Sequence, residues 1–469
     1  MSIKKLPQAT GATSELIFGK ETEFASAASA ASGVKMRFIN EEVAETQELN
    51  QSEVIRPDRN ADEPFEGNGT VGGNITLATD VNLFFEALKM TFGAPETTAP
   101  SDGKTLTAIA DNSANIPGTV KFTASAHGIA KGGTFVVCGT QHYDGGYKAV
   151  AVTTNDIIAY YNNYVAETPG EGAVVSATGY THLFKVKDKQ PSFTLEKVYR
   201  NIAASRLLLG CKVNSIQFGA TTDGQENQTV LEIVGSRPGD VPETMELVSV
   251  ASASDKAKFT TASAHGLSVN DVVVISGTDN YDGRQTVTAK TDDTFTTDAA
   301  YVAESWGASA KPAATKVHFT SPRTVSLARV SNFGATVYED DAVLASAKDF
   351  QCTINFGLDT DQRTLADKGW VGEIPEGTVT VECSMNLCYR SDAAYQAASA
   401  FKSVSIKFTM ERKGSPEKIT VDIPYAHYRR AGVPINTAKA LTQEITAMGY
   451  STDDNQSIAT ITVVNALAS

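Results

Sequence analysis

Residues 124–146 read ASAHGIAKGGTFVVCGTQHYDGG, and residues 262–284 read ASAHGLSVNDVVVISGTDNYDGR. Aligned without a gap over residues 123–145 and 261–283, the two copies share 12 of 23 positions, and a looser match runs on to YVAET at Tyr164 and YVAES at Tyr301. In each copy a run rich in valine (TFVVCGT or DVVVISGT) predicts a strand, YDGG or YDGR an Asp-Gly hairpin turn, and KAVAVT or QTVTAKT the return strand. Each copy is thus a small β-module of about 60 residues, near the lower size for independent folding.

The modules are flanked by polar, Ala/Ser/Thr-rich joins: residues 94–118 before the first, 250–258 before the second and 305–316 after it. Such joins mark insertions at surface loops, where extra sequence is tolerated. With the modules placed at 117–178 and 249–314, the segments 1–116, 179–248 and 315–469 remain to build one discontinuous domain. A length of 469 residues fits about three units at ~150 residues each.

Outside the modules the strongest helix is TDVNLFFEALKMTFG. Val81, Phe84, Phe85, Leu88 and Phe92 recur at helical spacing, Asp80 is placed to cap the start and Gly93 to stop the end, so one face is expected to be buried. A second helix is expected in SDAAYQAASAF, with Ser391 as cap and Tyr395, Ala398 and Phe401 as its inner side. Most of the rest reads as short alternating or β-branched runs, among them GNITLAT, SFTLEKVYR, TVLEIVGS, TVTVECSMNL, SVSIKFTMER and KITVDIPYA. The fold class is therefore mainly β (α+β), a sandwich or barrel with a flanking helix.

The composition, 41% hydrophobic and 20% charged, is that of a folded chain with a sizeable core. No apolar run of about 18 residues and no secretion signal are visible, so no membrane span is expected. A net charge of −14 argues against a nucleic-acid clamp, because tight binding to phosphates needs lysine and arginine to displace counterions. Five cysteines, Cys138, Cys211, Cys352, Cys383 and Cys388, are too few and odd in number for a disulfide framework, and read as small buried hydrophobes in a reducing compartment.

No local pattern carries catalysis, a cofactor or a metal. His127 and His265 stand at equivalent places in the modules without a second ligand at metal spacing, and read as turn-stabilising residues. His142, His182, His318 and His427 are equally isolated. CSMNLC is not a redox pair, and the acidic clusters at 40–48, 338–341, 358–362 and 452–454 lack the order of a calcium loop.

Residues 52–93, SEVIRPDRNADEPFEGNGTVGGNITLATDVNLFFEALKMTFG, resemble the amino-terminal part of bacteriophage tail tube proteins in their IRPDR loop, VGGNITL strand and amphipathic helix. Residues 191–218, with FTLEK and GCKVNS, resemble the family's central strand pair. GEIPEGTVTVECSMNL, YRSDAAYQAASAF, ITVDIPYAHY and a late ITVVN strand complete the likeness. It spans most of the discontinuous domain and little of the modules. The module phrase itself is similar to small β-domains of the FCCH family of ubiquitin-activating enzymes and to immunoglobulin-like decorations on phage surfaces.

This resemblance implies a structural virion protein assembling as stacked homohexameric rings, a hollow conduit for DNA at ejection. It implies assembly in the host cytoplasm and contacts with a tape measure, a tail terminator and a baseplate or tip. Ring closure needs a heterologous contact and stacking a second one; the implied interface residues are Ile55, Arg56, Pro57, Asp58 and Arg59. A plain alternative is a local Arg56–Asp58 ion pair worth under ~1 kcal/mol. A carboxylate-lined lumen would repel DNA and let it slide. Modules at surface loops would project outward, which a contractile sheath would not accommodate, so a non-contractile tail is expected; binding of host-surface glycans or bracing between rings are the roles open to them. A modular adhesin or fibre is the competing reading, but an adhesin carries modules in tandem. A carbohydrate hydrolase needs a positioned carboxylate pair that no motif marks.

Overall fold

Gln228–Gly235, Ser403–Glu411 and Lys418–Tyr428 bury nearly every second side chain, the period-two pattern expected of strands with one face on a core. A computed structural model describes residues 8–240, 242–306, 312–433, 435, 440–453 and 456–468. The chain is mainly β: one 20-stranded sheet, a seven-stranded sheet and a closed barrel.

The large sheet runs antiparallel from an edge at Ala44–Asn50 through Phe65–Ala78, Gln228–Gly235, Ala204–Ala220, Ala347–Asn355 and Thr380–Cys388 to Thr442–Gly449, which meets the end of Lys418–Tyr428. The 17-residue strand Ala204–Ala220 changes partners along its length, pairing first with Phe193–Tyr199 and then with Gln228–Gly235 and Ala347–Asn355. Gly210 sits at the change with φ +63°, and a Cβ there would lie 2.7 Å from the Ser236 side chain. Only glycine meets both conditions.

Helix α1 (Val81–Phe92) begins where sequence places it: the Asp80 carboxylate accepts from the backbone N–H of Asn82 and Leu83, and Gly93 (φ +79°) ends it. Its burial exceeds the single face expected. Phe84 packs on Phe218, Phe85 on Phe184 and Phe92 on Phe356, while the opposite side is covered by residues 323–330, with Glu86 paired to Arg323 at 2.6 Å and Asn82 Nδ2 donating to the Ser326 carbonyl. Glu86 and the Asn82 amide nitrogen on that second face are thus partnered, while Asn82 Oδ1 is buried without a partner among the described residues.

Helix α2 (Ala393–Ser399) meets expectation at Ala398 and departs from it at both aromatic positions. Ala394, Ala397 and Ala398 pack on the core, Tyr395 is exposed, and Phe401 lies beyond the helix at φ +51° with 73% of its surface open. The helix lies against Lys418–Tyr428, and the Phe401 ring stacks on His427 at the outer end of that strand. Asp392, not Ser391, occupies the capping position, and its side chain makes no cap bond.

The first copy of the repeat belongs to the seven-stranded sheet between Lys104 and Ser176, the second to the barrel between Thr244 and Val317. The two share one plan. In the barrel a single strand, Thr244–Ala253, pairs with both Lys256–Thr261 and Ala313–Val317; in the other, its counterpart is broken into Lys104–Thr105 and Ala108–Asp111, which make the equivalent pairings separately. Each encloses its own apolar centre, around Phe122, Phe135 and Tyr143 in one and Phe259, Tyr281 and Phe295 in the other.

Candidate assembly surfaces

The residues common to both copies are used inside the fold. Tyr143 is buried, and its hydroxyl donates to the Val165 carbonyl and accepts from the Val165 N–H at 2.8 Å; Tyr281 does the same with Val302. The Asp144 carboxylate accepts from Thr140 N and Oγ1, and Asp282 from Thr278. Glu167 accepts from the N–H groups of Gln141 and His142, and Glu304 from those of Asp279 and Asn280. Together these bonds hold a loop of residues 139–144, or 277–282, longer than the two-residue Asp-Gly turn expected. Burial pushes the Asp144 carboxyl up, against the bonds from Thr140.

The paired histidines belong to the same framework. His127 Nδ1 accepts from Ile129 N–H at 3.0 Å while Nε2 faces the Thr153 carbonyl at 2.9 Å; His265 repeats this with Leu267 and Thr294. A backbone N–H on Nδ1 and a carbonyl on Nε2 assign the neutral Nε2–H tautomer. His182 is wholly buried, with Nε2 near Asn465 and Leu467 carbonyl oxygens, and desolvation holds its pKa below the ordinary value. Among the described residues no three His, Cys, Asp or Glu side chains gather as a metal site. Asp340 and Asp341 pair with Lys402 and Lys407, and Asp359 closes a local turn with Asp361 and Gln362; Asp454 of the 452–454 cluster lies outside the described residues. Four cysteines are buried and Cys388 is partly so.

Both copies seat on the large sheet through the same face. Val136 and Cys138 pack on Ala466; Val272 and Val274, of which Val274 is the equivalent of Val136, pack on Ile17, Val198 and Phe319. The last residue of the repeated phrase sits at each seat beside a buried glutamate. Gly146 lies against the turn holding Ser415 and Glu417, where a Cβ would meet the Ser415 side chain and come 2.7 Å from Glu417 Oε2. Its counterpart Arg284 reaches Glu15 at 3.1 Å and donates to the Phe319 carbonyl at 2.6 Å.

Glu15 is also met by Lys35 at 2.6 Å and Arg200 at 3.5 Å. Burial alone would raise its pKa, but the Lys35 and Arg284 cations outweigh that and hold it below the ordinary range. The joins are cross-braced as well: Asp102 accepts from Ser176 Oγ, Thr178 Oγ1 and Ala177 N–H, tying the entry of the first copy to its exit, and these bonds overcome the opposing effect of burial to lower its pKa. Repetition marks the internal clamp, and of the seat residues Val136 and Val274 are shared while position 146/284 diverges, a difference in sequence that could have pointed to the seats.

The stretch from Ala44 to Phe65 projects as an arm. Ala44–Asn50 is exposed at every residue and pairs only with Phe65–Ala78. Leu49, Val54 and Phe65 are largely open and Ile55 is 96% exposed. Arg56 lies 3.2 Å from Asp58 and 3.3 Å from Asp62, so the local ion pair is present; all three groups are well exposed, which limits its worth to under ~1 kcal/mol. Pro57 and Arg59 stand exposed in the same loop.

An exposed two-stranded arm on a large sheet, two buttressed side modules, and polar residues engaged in internal bonds define a β-rich structural subunit. The phage tail tube protein family matches residues 11–449, and the chain belongs to that family. It is accordingly a structural protein of the phage tail. No curated protein matches it. Among solved structures, a chain titled phage phi92 endosialidase aligns over 77% of this chain and 70% of its own at 9% identity with a TM-score of 0.12, a likeness too weak to carry fold or activity.

Proposed function

We propose that this chain is the subunit of a tail tube that closes into hexameric rings, stacks into a hollow conduit and passes DNA at ejection. The observation that carries this reading, beside family membership, is the arm: an edge strand exposed on both faces with open apolar side chains is unusual on a protein that stays alone. Ile55, Arg56, Pro57, Asp58 and Arg59 at its tip are the interface residues of this reading. The segments outside the two modules form the tube domain, and the modules lie on its outer side; their own strands run from Lys104 to Ser176 and from Thr244 to Val317, wider than the expected 117–178 and 249–314.

The tape measure, terminator and tip proteins are the tail partners of such a subunit, and a tail bearing outer modules is non-contractile. DNA passes without specific binding, in keeping with net charge −14. The shared module residues serve internal bonds, which favours bracing or surface bulk over a ligand site common to both. Negative-stain electron microscopy of the purified protein tests the reading: rings or tubes with an open bore are expected, and monodisperse monomers at assembly concentrations refute it.

A further inference from the structure

Half of the chain's net charge sits in the arm together with the residues at its root. Residues 41–66 hold nine carboxylates and two arginines, net −7 of −14. Lys197 answers Glu41, and Arg56 answers Asp58 and Asp62; Glu45, Glu48, Glu53, Glu63 and Glu66 meet no cation among the described residues. These charges surround the open side chains of Leu49, Ile55 and Phe65.

A surface of opposite character lies beside Lys418–Tyr428, elsewhere on the sheet. Phe401 stacks at 3.9 Å on His427, which stacks at 4.8 Å on Tyr450, and Arg430 lies over the ring of Tyr395 at 5.9 Å. Arg429 reaches toward the sulfur of the exposed Met448. Lys402 is engaged by Asp340, but Arg390, Arg429 and Arg430 have no carboxylate partner among the described residues. A bulky aromatic residue at φ +51° is a backbone outlier that costs free energy, and such outliers gather where a surface is kept for a purpose. Exposed tyrosine, arginine and phenylalanine at one place also have the composition of an interface centre.

We propose that the arm of one chain seats on the Tyr395, Phe401, Arg429 and Arg430 surface of a neighbouring copy, carboxylates to guanidinium groups and Ile55 to the aromatic rings. Six strands separate Ala44–Asn50 from Lys418–Tyr428 in the pairing order, and among the described residues no hydrogen bond, ion pair or ring contact joins the arm to that surface within one chain. The contact is therefore made between copies, head to tail, the geometry that generates rings. The inference rests on the tube-subunit reading and adds the acceptor for the arm.

The test is photo-crosslinking with p-benzoylphenylalanine introduced at position 55 of the full chain, beside an Arg429→Glu/Arg430→Glu variant. Cross-links between copies should map to residues 390–402 or 425–450. The double variant should need about tenfold more protein to assemble, keep the wild-type unfolding temperature, and regain assembly when Glu45→Lys and Glu48→Lys are added. Assembled wild-type chains that cross-link elsewhere, or a double variant that assembles as wild type, overturn the acceptor while leaving the tube reading standing. Wild-type chains that form no rings by electron microscopy overturn both.

Discussion

Replacing Arg284 by methionine should loosen the barrel from the large sheet without unfolding the barrel itself. The guanidinium is the module's main polar anchor: it lies 3.1 Å from Glu15 and 2.6 Å from the Phe319 carbonyl, and the Glu15 side chain is only 4% exposed. Removing one member of a buried pair costs about 3–5 kcal/mol when the other is left alone. Here Lys35 and Arg200 still face Glu15, and methionine keeps the aliphatic packing, so ~2–3 kcal/mol is expected.

Hydrogen exchange at pH 7 locates the loss. Exchange should quicken in 14–20, 272–276 and 313–319, while residues around Phe259 and Phe295 keep their protection. The variant should also be less sensitive to acid. Glu15 has a depressed pKa in the folded chain, so its contribution is whole above its ordinary value of 4.5 and is lost as pH falls from there through the depressed folded value; without Arg284 the depression shrinks and so does the loss. Wild-type exchange at the seat, or uniform loss throughout the barrel, would refute this account.

Gly146→Val should unseat the first module, since its side chain would occupy the place of Ser415; a loss of about 1–3 kcal/mol is expected for such overpacking, read by urea unfolding and by new proteolytic cleavage at residues 94–103. Tyr143→Phe and Tyr281→Phe should each cost ~1–2 kcal/mol, because each removes two part-buried hydrogen bonds between the hydroxyl and the Val165 or Val302 backbone; equal losses by calorimetry support a shared clamp, and neutrality in both rejects it. Asp80→Ala should remove the cap of α1 at a cost of about 1 kcal/mol, and an unchanged unfolding midpoint would contradict that role.

The features legible in sequence were those set by neighbours along the chain. Asp80 and Gly93 bracket α1 through bonds to adjacent backbone, and alternating runs such as SVSIKFTMER became strands because a period of two needs no distant partner to be recognised. The tail tube likeness of residues 52–93 and of the later segments stands in the family match over residues 11–449. Where side chains answer to distant elements, local reading failed. Tyr395 and Phe401 were expected inside, yet α2 turns Ala394, Ala397 and Ala398 to the core, and Phe401 follows the helix in a left-handed turn.

The repeat shows the division most clearly. Sequence by itself determined that two related β-modules exist and which residues they share, because Thr140, Tyr143, Asp144 and Glu167, and their counterparts in the second copy, bond within their own module. Only the tertiary structure decided how each module is held. Glu15 and Glu417 come to Arg284 and Gly146 from 269 and 271 residues away, positions 284 − 15 and 417 − 146 in the numbering, and no local pattern encodes a contact between groups so far apart in the chain. Burial chose the partner in each case: a glutamate taken out of water must be met by a cation or by hydrogen bonds; Glu15 takes Arg284 from the second module, whereas Glu417 is met by Arg412 and Ser415 of its own turn, which leaves room for only a glycine at position 146 of the first.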